Sequence, residues 1–172
     1  MADVVNLNAG QRAQRKTLIT VAEWGDSTTP DREILGARTE DSSIEFNPDV
    51  ETSTDILGIT YSDVNKTEPQ QDFDPYYLLG GSKLGAYLAE AALENNIDAY
   101  NGTFNIYIIT AFIGTEGAYK CVKHSGCTIL PTAIGGDAYV SMPIEVHFSN
   151  NITTGTVDKL NDSFVFTEDI AP

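Results

Sequence analysis

Apolar and polar positions alternate along most of this chain, and the alternation has a period of two far more often than one of 3.6. A period of two sends successive side chains to opposite faces of a strand, so the pattern predicts a β protein. Residues 17–24 (TLITVAEW) are β-branched and alternating, which predicts a first strand, and residues 25–30 (GDSTTP) follow with turn chemistry. A short second strand is expected at 34–38. Residues 43–47 put Ile44 and Phe46 on one face and Glu45 on the other before ending at Pro48, and residues 56–64 predict a further strand. Residues 103–113 (TFNIYIITAFI) are apolar on both faces, as a central strand buried between two layers would be. Strands are then expected at 118–123, 128–130, 138–148 and 163–167. In the long one, Ala138, Val140, Met142, Ile144, Val146 and Phe148 face inward, while Pro143 on the outward set marks an edge strand or a bulge.

One segment changes period. Between 82 and 96, Leu84, Leu88 and Ala92, with Tyr87 and Ala91 beside them, share a helical face, and Glu90 and Glu94 lie toward the other. Ser82 is placed to cap the start, and Asn95 and Asn96 can end the helix. Many short strands and one amphipathic helix predict an antiparallel β-sandwich or open barrel with the helix flanking one sheet. The 172 residues form one domain of ordinary size. Residues 1–16 and about 155–172 mix polar residues with isolated apolar ones (Val4, Val5, Leu7, Phe164, Phe166), which predicts two arms that order on assembly.

Charge sharpens this picture. The formal net charge is −15, and residues 39–77 carry ten of the 25 acidic side chains against a single Lys66. That stretch also holds Ile44, Phe46, Val50, Ile56, Leu57, Ile59, Tyr61, Val64 and Phe73, a content at odds with a disordered acidic tail. It is expected to fold and to present a negative surface. Nucleic acid and anionic membrane are poor ligands for such a chain, because binding phosphate needs clustered Lys and Arg, and only Arg12, Arg15 and Lys16 cluster. No run approaches the eighteen or so apolar residues of a membrane span, and residues 1–16 lack an apolar signal core, so neither insertion nor standard export is expected.

Candidate chemistry is sparse. His124 falls in an expected turn and His147 on a polar strand face, with no Gly-x-Ser-x-Gly sequence to supply a nucleophile. Gly80-Gly81-Ser82 before the helix lacks the lysine and spacing of a phosphate loop. The Asp-rich stretch has no Asp-x-Asp-x-Asp-Gly calcium loop, and Cys121, Cys127 and His124 have unusual spacing for zinc. The two cysteines suit opposite arms of a hairpin around KHSG, and the spacing leaves open whether they pair. No catalytic residue, metal or cofactor is expected.

The run GARTEDSSIEFNPDVETSTDILGITYSDVNKTEPQQDFDPYYL, followed by SKLGAYLAEAALENN and FNIYIITAFIG, resembles the major tail tube proteins of long-tailed phages of Gram-positive hosts and their prophages. The resemblance spans about residues 17–148. It implies a β-sandwich with a flanking helix that forms homo-hexameric rings stacked into a hollow tube. The tube would surround the tape-measure protein, meet tail terminator or distal tail proteins at its ends, and later conduct DNA as non-specific cargo. It would lie in the virion tail and assemble in the bacterial host cytoplasm. An acidic wall would repel that cargo, so Glu45, Asp49, Glu51, Asp55, Asp63, Asp72 and Asp74 are expected at the lumen or between rings. Arg12, Arg15 and Lys16 are expected on an inter-subunit arm. A capsid decoration or head-tail joining protein, and a small β-sandwich binding module, stay open beside this reading.

Overall fold

The computed structural model describes Leu7 and residues 9–169, so Val4 and Val5 of the expected N-terminal arm lie outside it. The chain is organised on two long strands, β7 (Phe104–Thr115) and β8 (Ala118–Pro131). Before them come β1 (Leu18–Trp24), β2 (Asp31–Ile34), β3 (Ile44–Glu45), β4 (Pro48–Thr54), β5 (Thr60–Thr67), β6 (Gln70–Phe73) and the helix α1 (Lys83–Leu93). After them come β9 (Ile144–His147), β10 (Ile152–Val157) and β11 (Phe166–Glu168). Every strand pair is antiparallel.

The length of β8 lets it serve two sheets. Its first part pairs with β7 and β10, continuing the order β2-β1-β7-β8-β10-β11, and its last four residues pair with β9 in the order β8-β9-β6-β3. The result is the expected mainly antiparallel β architecture with one helix, as a sandwich that shares a strand at its corner. Burial follows the sequence pattern most closely at β7. Phe104 and Ile106 join Trp24, Phe73, Ile129, Ile144 and Val146 under Leu84 and Leu88 of the helix. On the other face, Tyr107 and Ile109 join Val21, Cys121, Val157 and Phe164. Each such fully buried side chain stabilises the fold by about 1.5–3 kcal/mol relative to exposure, which fixes the register of a strand covered on both faces.

The helix begins as the sequence predicts. Ser82 Oγ accepts the Gly85 N–H at 2.9 Å, and Asn95 takes the left-handed conformation (φ 54°) just past the end. A second cap comes from β2. Glu33 accepts the Leu84 N–H at 3.1 Å on one carboxylate oxygen, and the Ser82 and Tyr76 hydroxyls at 2.7 and 3.0 Å on the other. Burial first, then this neighbouring carboxylate, push the Tyr76 phenol well above its ordinary value.

Several expectations are corrected. Cys121 and Cys127 do not sit on opposite hairpin arms. They lie on the same strand, both as buried free thiols, because Gly126 (φ 80°) is taken up as the extra residue of a bulge opposite Phe104 and Asn105 rather than as a turn. Burial pushes the Cys121 thiol up to about 12, so it is inert as a nucleophile near neutrality. The expected strand 138–148 is formed only at Ile144–His147, with residues 132–143 as a loop that exposes Tyr139 and Val140. In the expected C-terminal arm, residues 155–157 and 166–168 belong to the sheet and residues 158–165 loop between them. Residues of β10 pair with β8, β11 pairs with β10, and Phe164 is buried.

Phe164 is held by a contact far away in sequence. Arg32 donates to its carbonyl at 2.7 Å and lies over its ring, 4.4 Å from the centroid, while pairing with the nearly buried Glu23 at 2.6 Å. Glu23 also accepts from Asn105 and from the Tyr107 hydroxyl. Burial works to raise the Glu23 pKa, but the donors Asn105, Arg32 and Tyr107 together hold it below the usual glutamate value of 4.5.

Candidate functional site: a projecting two-faced hairpin

The acidic stretch forms β4 and β5, and they stand apart from everything above. From residue 45 to residue 68 every residue but Asp55 is exposed to solvent. Thr, Val and Ser favour strands in both arms, and the register runs from Pro48 opposite Thr67 to Thr54 opposite Thr60. The five residues between them make a self-contained turn. Asp55 accepts the N–H groups of Leu57 and Ile59, both at 2.9 Å, and the Tyr61 hydroxyl at 3.3 Å. Gly58 supplies the left-handed position, φ 81°. At the base, Phe46 accepts the Glu68 N–H at 3.1 Å, Asn47 reaches the Glu68 carbonyl at 3.2 Å, and Lys66 pairs with Glu68 at 2.7 Å.

Strand alternation makes the hairpin two-faced. One face carries the pairs Val50–Val64, Thr52–Ser62 and Thr54–Thr60, the last with hydroxyls 3.2 Å apart. The other carries Ser53–Tyr61, Glu51–Asp63 and Asp49–Lys66. Glu51 and Asp63 are like charges directly opposite each other, an arrangement that destabilises a strand pair, and the Asn65 amide at 3.3 Å from Glu51 is only a partial relief. A lone two-stranded hairpin is marginal in water even without such repulsion. Its apolar side chains are also uncovered: Ile56 is 102% and Leu57 79% exposed, and Phe46, Val50, Ile59, Tyr61 and Val64 are each at least about half exposed.

The structure thus brings three of the seven expected acidic residues, Asp49, Glu51 and Asp63, onto one hairpin face. Asp55 serves the turn. Glu45 on β3, Asp72 on β6 and Asp74 beyond it belong to the body of the second sheet, with Asp72 opposite Glu145 and accepting from Gln70 at 2.8 Å. In the expected basic arm, Arg15 donates to the Ser42 carbonyl at 2.9 and 3.2 Å and to the Leu18 carbonyl at 2.6 Å, inside its own subunit, whereas Arg12 and Lys16 are exposed. His124 is buried with Nδ1 2.9 Å from the Ser149 carbonyl, and His147 lies 3.3 Å from Glu145. Among the described residues no group of three or more His, Cys, Asp or Glu could hold a metal ion, and no helix is long and apolar enough to cross a membrane.

Sequence reasoning located the acidic stretch but misplaced its geometry. The expected strand 56–64 straddles the turn, and Pro48, expected to end a strand, begins β4. Two runs of Thr, Val and Ser separated by Asp55 and Gly58 carried the signal for a hairpin, masked by the three apolar residues at its tip.

No protein-family model matches the sequence, and no curated protein matches it significantly. Among solved structures it is similar to a chain in the sixfold-symmetrised baseplate of the anti-feeding prophage, with 11% identity over 86% of this chain and 97% of that chain, at a TM-score of 0.46. A likeness of that size says nothing about partners or activity.

Proposed function

We propose that this chain is a structural virion protein that forms the stacked hexameric rings of a phage tail tube, non-enzymatic, with its hairpin as the assembly device. The carrying observation is the contrast between a sandwich whose central strand is covered on both faces and a hairpin covered on neither. Exposed apolar area of this kind marks an interaction surface, and the sequence resemblance to tail tube proteins supplies the kind of assembly. In such a ring the Val50, Thr52, Ser62 and Val64 face packs on a neighbouring copy, which leaves the Asp49, Glu51 and Asp63 face toward the lumen. Duplex DNA carries one negative charge per about 1.7 Å, so an acidic lining keeps it from sticking during passage. Arg12 and Lys16 are the cations placed to offset carboxylates of a neighbouring subunit.

Electron microscopy of negatively stained, concentrated protein tests this reading. Stacked rings with sixfold symmetry are expected. Closed trimers or pentamers would replace it with a capsid or joining role, and a strict monomer would overturn it.

A further inference from the structure

Asn101 and Gly102 are the one Asn-Gly pair in the sequence, and both are exposed in the turn that leads from Ala99 into β7. The turn is pinned. The Ile129 N–H donates to the Tyr100 carbonyl at 3.2 Å, and the Thr103 hydroxyl donates to the Ala99 carbonyl at 2.8 Å. Between these contacts stands Thr128 of β8, whose hydroxyl accepts the Gly102 N–H at 3.0 Å and donates to Asn101 Oδ1 at 3.2 Å. Thr128 is paired with His147 of β9, and its branched side chain is stiff at χ1, so the hydroxyl is aimed by the sheet. One hydroxyl therefore touches both reacting ends of a cyclisation, the attack of the Gly102 amide nitrogen on Asn101 Cγ. Asn is a chemically labile side chain, and Gly102, which takes φ 70°, adds no side chain to block the approach.

We infer that Asn101 is a site of self-modification, where the fold promotes succinimide formation and the Thr128 hydroxyl relays the proton. The Gly102 N–H proton passes to Thr128 Oγ1 while the Thr128 hydroxyl proton passes to Asn101 Oδ1, as the new N–C bond forms and the C=O double bond opens. The same hydroxyl stands where negative charge develops on Oδ1. Pinning the turn holds nucleophile and carbonyl together, so little freedom is left to lose on the way to the ring. Collapse of the intermediate then breaks the Cγ–Nδ2 bond, returns the Oδ1 proton to the departing nitrogen and releases ammonia. Water, which reaches this exposed turn, opens the ring at either carbonyl and leaves aspartate or isoaspartate. The net change is one water consumed and one ammonia released, and it is a property of the single subunit.

Incubation of the full chain at neutral pH, followed by peptide mapping for aspartate and isoaspartate at position 101, tests the relay. The native protein is expected to convert Asn101 faster than the same chain unfolded in urea. Thr128→Val, which removes the hydroxyl from a half-buried strand position, is expected to slow the native reaction by about tenfold, less than the roughly hundredfold or more lost with an oxyanion donor in an enclosed site. Thr128→Ser is expected to keep most of the rate, and melting curves establish that both variants fold. A Thr128→Val variant that converts as fast as the wild type or faster would mean that the hydroxyl holds the nitrogen out of reach, and would overturn the inference. So would a Thr128→Ser variant as slow as Thr128→Val. The comparison of native with unfolded wild type needs no variant, and a native rate below the unfolded one would overturn it as well.

Discussion

β7 and the β4–β5 hairpin both draw on β-branched residues, Ile in the first and Thr and Val in the second, yet one is buried on both faces and the other on neither. The difference lies in where each finds its cover. β7 receives it from the same chain, through the second sheet and helix on one side and the Phe164 segment on the other. The hairpin has no such cover in the subunit, and its like-charged Glu51–Asp63 pair shows that it is not tuned to be stable alone. Apolar residues on both faces mark β7 as a core strand in the sequence itself, whereas the charged residues of β4 and β5 mark a surface without saying whether the rest of the chain covers it.

The comparison breaks first at the core. Phe104→Ala is expected to destabilise the subunit by about 3–5 kcal/mol in urea titration, since it removes a ring packed 6.4 Å from Trp24 and 6.3 Å from Tyr87. A loss below 1 kcal/mol would mean that the core is less tightly determined than described.

Arg32→Ala comes next. It leaves Glu23 nearly buried without its cation and uncouples the Phe164 segment, for a loss of roughly 3 kcal/mol at neutral pH, the low end for a broken buried pair because Arg32 keeps some contact with solvent. The folded pKa of Glu23 lies below 4.5, so the stabilisation from its ionised form is complete above about pH 4.5 and is lost as pH falls through the lower folded value. The gap in thermal midpoint between wild type and variant should therefore narrow as pH drops below about 4.5. A gap that widens in acid would contradict the assigned network.

Ser82→Ala should cost about 1 kcal/mol at most, because Glu33 still accepts the Leu84 N–H after the serine cap is gone. Smallest of all for the isolated subunit is Ile56→Ser with Leu57→Ser. Unfolding in dilute solution should change by less than about 0.5 kcal/mol, while assembly is lost. A large loss of subunit stability would mean that the tip is already packed within its own chain.

What could be read from the sequence was local. The Ser82 cap, the Asn95 terminus, the helix face and the two-sided burial of β7 all rest on residues within a few positions of one another. What could not be read was decided at a distance. Gly126 looked like a turn and is a bulge because β7 runs alongside it, and Phe164 looked like an isolated anchor and is core because Arg32, 132 residues earlier, fixes its carbonyl. In the candidate site, the negative surface was legible as composition. Its division into an acidic face and a Val/Thr face was not, because it depends on a register that begins at Pro48 and on a turn centred among Ile56, Leu57 and Ile59.

Hydrogen exchange on subunit and assembly, compared amide by amide, tests most directly whether the hairpin is an interface rather than a finished part of the fold. The amides of β7 should be strongly protected in both states. Those of β4 and β5 should exchange rapidly in the dilute subunit and become protected on assembly. Equal protection of the hairpin in both states, or none in the assembly, would contradict the account.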